Sequence, residues 1–338
     1  MEVVSYFCPH CGAPIEYDAE KSVFHCEFCG NDVPKDEIVK KEGEAVDQEQ
    51  LSMYHCPSCG AELITDANTA ATFCRYCGSP TIVKRNLEGV FQPDLVIPFQ
   101  ISKEKAGEIF KNWCHRGRFT PKGFYSARQI EKITGTYVPF WLFDCDVTTA
   151  VSGNAKKVRV WRSGDYEYTN TKNYYVQRRG HFSYDYVPAD GSSRMDDALM
   201  DALEPYQYQQ MVPFELPYLS GFAAEKYDKN AKEVFERADA RMTQASEGML
   251  RQSMSGYSAV NINAQEKKYT KVSSNYTLLP VWMLRYRYKD QTYTFAVNGQ
   301  SGKVAGKPPL SKLKLGLWAA GLMTAFYTII TLGGALLL

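Results

Sequence analysis

Hydrophobic spacing places the helices of this chain first. Behind Ser102, a residue suited to an N-cap, Ala106, Ile109, Phe110 and Trp113 recur at three- and four-residue steps. That pattern predicts a helix to about His115. Ala231, Val234, Phe235, Ala238, Met242, Ala245 and Met249 share one face of a longer helix between about Asp228 and Arg251. A short helix is expected from Ser126, burying Ile130 and Ile133, and another from Ser192 or Ser193 through Leu203, stopped by Pro205. Pro213 and Pro217 mark an extended crossing.

Alternation of apolar and polar positions predicts strands elsewhere. Val158–Trp161, Tyr166–Tyr168, Tyr174–Gln177 and His181–Val187 read as an antiparallel meander, with Ser163-Gly164-Asp165 as one turn. Tyr257–Ile262, Pro280–Tyr288 and Gln291–Val297 form a second meander, followed by a turn at Asn298-Gly299. Two stretches echo each other: Tyr137-Val-Pro139-Phe-Trp141-Leu and Leu278-Leu-Pro280-Val-Trp282-Met. The echo points to two similar sheet halves in one domain. From Leu315 to Leu338 no residue is charged, and Lys303, Lys307, Lys312 and Lys314 precede the run. A helix of this length covers a bilayer core of roughly 30 Å, with Trp318 at the interface. A single-pass C-terminal anchor is expected, and the lysines hold the bulk of the chain in the cytoplasm.

The first eighty residues have a different character. Cys8/Cys11, Cys26/Cys29, Cys56/Cys59 and Cys74/Cys77 are four Cys-x-x-Cys pairs, and the second quartet repeats the first at an offset of 48. Glycine follows each pair, at Gly12, Gly30, Gly60 and Gly78. Two such turns at this spacing are the layout of a zinc ribbon, each turn giving two thiolates to one tetrahedral ion. Two structural zinc ions are expected, with all four ligands of each supplied by cysteine and no position open for catalysis. Disulfides are disfavoured because no secretory signal opens the chain. Glu16–Phe24 reads as a hairpin covering the first metal site, and Lys35–Gln50 as a charged linker or a mostly polar helix.

The expected fold class is therefore two small zinc ribbons of four cysteines each, then an α+β domain with an aromatic-rich antiparallel sheet, then a C-terminal transmembrane helix. The boundaries are 5–34 for ribbon one, 35–51 for the linker, 52–84 for ribbon two, 92–306 for the α+β domain and 315–338 for the membrane helix.

Charge narrows the partners. Residues 1–90 hold fifteen acids against seven bases, a net of −8, and the remainder carries +9. An acidic ribbon region is poorly suited to neutralising phosphates, so nucleic acid is an unlikely ligand for it, and Arg75, Lys84 and Arg85 are its one credible phosphate contact. Acidic ribbons suit basic protein surfaces. His25 and His55 adjoin ligands whose quartets are already complete. Cys114 and His115 are helix neighbours that point apart, Cys145 reads as core, and Asn298–Lys303 lacks the spacing of a phosphate loop. No catalytic motif is recognisable, and a non-enzyme is expected.

Paired ribbons, an aromatic region with Pro139-Phe140-Trp141 and Pro280-Val281-Trp282, and a hydrophobic carboxyl end together resemble a bacterial family. It is the family of membrane-anchored double zinc-ribbon proteins, often labelled TFIIB-type zinc-ribbon proteins. The resemblance covers the whole chain. It implies zinc on the eight cysteines, a membrane location in an envelope-stress setting, and an adaptor role. The implied partners are SPFH (flotillin-like) and phage-shock-protein-A-like proteins at the cytoplasmic membrane face, with oligomers a further possibility. A membrane-tethered nucleic-acid-binding ribbon protein is the alternative.

Overall fold

The computed structural model of the chain describes residues 2–47, 51–60, 62–66, 68–74, 79–83, 87, 91–121, 124, 133–288 and 291–335. The amino-terminal strand β1 (Glu2–Phe7) leads into the first ribbon, made of β2 (Glu16–Asp18), β3 (Val23–His25) and β4 (Asp32–Val33). These three short strands form a sheet of their own. The stretch read as a linker holds β5 (Val39–Asp47), which returns antiparallel along the whole of β1, from Glu2↔Glu44 to Phe7↔Val39. The second ribbon follows as β6 (Leu51–His55), β7 (Glu62–Asp66), β8 (Thr69–Phe73) and β9 (Pro80–Val83). β9 closes on the other edge of β1 at Val3↔Val83 and Val4↔Ile82.

The remainder begins with β10 (Leu95–Val96) and α1 (Lys103–Arg116), then two very long strands, β11 (Thr134–Ser163) and β12 (Tyr166–Asp190). After α2 (Asp197–Leu203) come β13 (Val212–Pro213), β14 (Ala223–Glu225), α3 (Ala231–Gln252) and a third long strand, β15 (Ala259–Tyr288). β16 (Gln291–Asn298), β17 (Val304–Gly306) and α4 (Lys312–Ala335) complete the chain.

This architecture corrects the expected fold class. Among the described residues, fourteen strands, from β1, β5, the second ribbon and the body, form one sheet, and the sheet is mixed rather than antiparallel. β10 runs parallel to β15, and β14 runs parallel to β11. β14 also pairs with β8, which joins the second ribbon to the body at Ala224↔Ala71. The physical reason lies in β1: Val3, Val4, Tyr6 and Phe7 are all buried, so this strand is covered on both faces and must sit inside a sheet. The ribbons are parts of one packed structure, not beads on a tether.

The two meanders also resolve differently. Polar Thr and Asn between Tyr168 and Tyr174 do not turn the chain, and β12 runs straight through them. One hairpin results, turning at Gly164 with φ of 59°. β15 lies on the other side of β11, in register from Thr134↔Met283 to Lys156↔Ala259. The echoed motifs meet in this pairing, with Tyr137 opposite Pro280 and Pro139 opposite Leu278. Each motif makes the same bonds. The Pro139 carbonyl accepts from Gly191 N–H at 2.8 Å and the Pro280 carbonyl from Gly299 N–H at 2.9 Å. The Trp141 indole donates to the Lys229 carbonyl and the Trp282 indole to the Ile101 carbonyl, both at 2.9 Å. The echo is a local two-fold arrangement of neighbouring strands. Around it lies an aromatic core in which Phe99 stacks on Phe222 at 4.1 Å and meets Tyr137 and Trp282 edge-on at 5.0 Å.

α1 is capped by Ser102 and buries Ala106, Phe110 and Cys114, with Ile109 and Trp113 half-buried beside them. α2 is capped by Asp196, not by Ser192 or Ser193, because the Asp196 carboxylate accepts from Leu199 N–H at 2.8 Å. Asn230 and Glu233 form a capping box at the start of α3. The buried face of α3 advances in fours through Val234, Ala238, Met242, Ser246 and Leu250, so Met249 turns out to solvent. The expected helix from Ser126 lies mainly outside the described residues; of its core positions, Ile133 is buried.

The tail anchor and cell-membrane placement are corrected as well. Among the described residues, no helix is long and apolar enough to cross a membrane. α4 begins at Lys312, so Lys312 and Lys314 belong to the helix rather than flanking it. Its amino-terminal end is docked: Lys314 Nζ donates to the Thr120 carbonyl at 2.7 Å, Ser311 N–H donates to the Phe119 carbonyl at 2.8 Å, and Trp318 packs edge-on against Phe119 at 5.7 Å.

Candidate metal centres and an acidic cleft

Three of the Cys-x-x-Cys turns share one backbone solution. Gly12 N–H donates to the Cys8 carbonyl at 2.9 Å, and Gly30 and Gly60 donate to Cys26 and Cys56 carbonyls at 2.8 Å. These glycines have φ of 71°, 73° and 73°, the left-handed region that β-carbons disfavour. The turn folds the second cysteine back over the first. Cys8 and Cys26 are buried and Cys11 and Cys29 exposed, so each turn offers one inner and one outer sulfur.

The four sulfurs of the first quartet converge. Cys8 and Cys29 Sγ stand 3.7 Å apart and Cys11 and Cys26 Sγ 3.5 Å, with all four within 4.8 Å of one another. Disulfide sulfurs would be bonded at about 2.05 Å. Sulfurs around a tetrahedral ion at about 2.3 Å stand about 3.8 Å apart, which is close to the spacing here. In the second quartet Cys56, Cys59 and Cys74 converge in the same way, with Cys59 and Cys74 Sγ at 3.7 Å. Cys77, the fourth expected ligand, lies outside the described residues. Two cysteine groups thus fit metal ions.

Electrostatics prepare the inner sulfurs of the first quartet for thiolate chemistry, whereas burial pushes the Cys56 thiol of the second quartet up to about 12. Burial alone would raise the Cys26 thiol, but N–H groups of Cys29 and Phe28 and the neighbouring Cys11 hold it down at about 7. Cys8 is lowered in the same way, against burial, by the N–H groups of Cys11 and His10. These amides are the outer support that steadies a metal-bound sulfur. His25 is turned away from this role: its Nδ1 lies 2.6 Å from Asp32 Oδ1.

The other cysteines stand apart. Cys114 and Cys145 are buried, and burial pushes their thiols up to about 12 and about 11. Asn298–Lys303 is a turn in which the Asn298 side chain accepts from Gln300 and Ser301 N–H.

A second feature escaped the sequence reading. The first ribbon docks on the body: Tyr17 N–H donates to the Ser220 carbonyl at 3.1 Å, Ser220 Oγ donates to the Ile15 carbonyl at 2.5 Å, and Tyr17 packs on Tyr218 at 5.6 Å. Gly221, at φ of 91°, permits the approach, since a β-carbon there would meet Glu16 Cβ at 3.0 Å. Between ribbon and body lies a cleft of about 720 Å³, lined by Glu16, Asp18, Glu20, Glu27 and Glu104, with Lys103 the one lysine or arginine among the described residues of its wall. Burial and then Glu27 raise the Glu16 carboxyl above its ordinary range. The Ile15–Ser220 contact, one residue from the lining Glu16 and Gly221, spans 205 positions of chain, which is why no local pattern announced the cleft.

No family model matches the chain, and no solved structure matches it. It is 42% identical over 325 residues to the uncharacterized protein YdjG of Bacillus subtilis (strain 168), an alignment covering 95% of this chain and 94% of YdjG. At that identity over nearly the full length of both, the chain belongs to the family of YdjG.

Proposed function

We propose that this chain is a zinc-loaded docking protein, not an enzyme, whose first ribbon and body together grip a basic segment of a protein partner. The acidic cleft carries the reading. Five acidic residues line about 720 Å³ of space against a single lysine among the described residues, and a lysine or arginine side chain from outside would balance them. The cysteine groups support zinc as the ion, because soft thiolate sets in tetrahedral array suit it. The metal would act structurally, holding the ribbon wall of the cleft in place. The resemblance names SPFH and phage-shock-protein-A-like proteins as the first partners to try.

The test uses the full chain, zinc-loaded, against a lysine- and arginine-rich peptide and against those two partner types. Glu16→Gln/Glu20→Gln/Glu27→Gln is expected to weaken binding at least tenfold and to flatten its salt dependence. Unchanged binding by the folded variant, or none by the parent protein, would refute the reading.

A further inference from the structure

The positive half of the charge split gathers on one projecting hairpin. Beyond Lys156↔Ala259, where the ladder of β11 with β15 ends, β11 and β12 continue as a two-stranded blade. Residues 150–182 of the hairpin hold seven bases against two acids, and the two-stranded blade itself, residues 157–172, holds four against two. In an antiparallel pair, residues directly opposite share a face. Lys157 lies opposite Lys172, Arg159 opposite Asn170 and Trp161 opposite Tyr168, so all these groups point the same way. The acids Asp165 and Glu167 are elsewhere. Asp165 is in the turn, and Glu167 lies opposite Arg162 on the reverse face, where the two form an ion pair at 3.0 Å.

The rings on this face are presented, not packed away. Trp161 is 43% exposed and stacks on Tyr168 at 5.5 Å with only 13° between planes. Arg159 lies 5.9 Å from the Trp161 ring, and Lys157 lies 6.0 Å from Tyr174 and 5.2 Å from Tyr257. A groove of about 560 Å³ runs between them, and among the described residues no carboxylate lines it.

We propose that this face binds single-stranded nucleic acid. Cations spaced along a strand, alternating with flat exposed rings, match a phosphate backbone with unstacked bases, and each exposed ring is a platform for one base. An acidic protein surface would use the cations but has no need of the rings. A bilayer would need an apolar hairpin end, and this one is Ser163-Gly164-Asp165. The site is distinct from the acidic cleft and does not rest on the docking role proposed for it.

The test is fluorescence anisotropy of labelled oligouridylate and oligothymidylate with the full chain at several salt concentrations. Micromolar or tighter binding at physiological salt is expected. With three cations engaged, log K should fall with log salt at a slope of about −2. Lys157→Gln/Lys172→Gln should reduce that slope by about 1.4. Trp161→Ala should weaken binding about five- to a hundredfold through lost stacking. Arg162→Gln, on the reverse face, should change it less than about threefold. These side chains are exposed, and circular dichroism confirms that each variant is folded. Absence of binding by the folded parent chain would overturn the proposal. So would indifference to Trp161→Ala, or equally tight binding of polyglutamate or anionic vesicles with the same dependence on these residues.

Discussion

Arg237→Met would leave one carboxylate stranded in the interior. Asp190 is fully buried, its Oδ1 accepts from Arg237 Nη1 at 2.7 Å, and its Oδ2 has no hydrogen-bond partner among the described residues. The same guanidinium reaches Asp201 at 2.7 Å and Asp197 at 3.2 Å. Those two are 38% and 43% exposed, and Asp201 keeps Arg241 at 2.9 Å. Their loss is worth about 0–1 kcal/mol each, whereas an uncompensated buried charge costs about 3–5 kcal/mol. With about 2.1 cal/mol/K of unfolding entropy per residue, a 338-residue chain shifts by about 1.4 °C per kcal/mol, so Tm should fall by about 4–7 °C in calorimetry. Asp190→Asn/Arg237→Met removes the charge as well as its partner, and its residual cost should be about 1–3 kcal/mol for unmade hydrogen bonds.

The pH dependence has a definite sign. Burial lifts the Asp190 carboxyl above its ordinary range and Arg237 pulls it back, so removing Arg237 lifts it further. A carboxyl raised in the folded state binds more protons folded than unfolded, and its contribution to stability is lost as pH rises through the folded value. The Arg237→Met deficit should therefore be smaller at about pH 5 than at about pH 8. A Tm change under about 2 °C, or a double variant no more stable than the single one, would refute the assignment of the cost to Asp190.

Elemental analysis of the purified chain should find two zinc ions per molecule, and one ion or none would remove the basis for two ribbons. Gly30→Ala should cost about 1–2 kcal/mol through its φ of 73° alone, since no atom lies within 4 Å of the added β-carbon; a larger loss in chemical denaturation would show a steric cause instead. Burial would raise the Asp239 carboxyl, but Lys267 at 2.6 Å and the Tyr269 hydroxyl hold it below the ordinary range. Its stabilisation is present above the ordinary carboxylate value and lost as pH falls through the folded one, so Asp239→Asn should flatten the acid limb of stability against pH.

The chain's own order of residues determined the metal-ligand turns. Cysteine spacing and the glycine after each pair are local, and a knuckle turn needs only the five or so residues that build it. Helical spacing likewise located α1 and α3, because an amphipathic stripe and its cap are read within one element. Strand extent was not local. β12 and β15 run through polar stretches because a neighbouring strand supplies their hydrogen bonds, and nothing in Thr169–Asn173 itself records that neighbour.

The tertiary structure alone decided how the parts join. Val3-Val4-Ser5-Tyr6-Phe7 is an apolar run whose meaning depends on β5 and β9 covering its two edges. The apolar tail offered length and composition, but where its helix begins was settled by Lys314 docking on Thr120. Net charge could be counted from the sequence, yet its placement could not. Antiparallel register put Lys157, Arg159 and Lys172 on one face of a hairpin, and a contact between Ile15 and Ser220 turned scattered acids into one cleft. Sequence determines what a residue can do within its own turn, and long-range pairing determines which residues stand together.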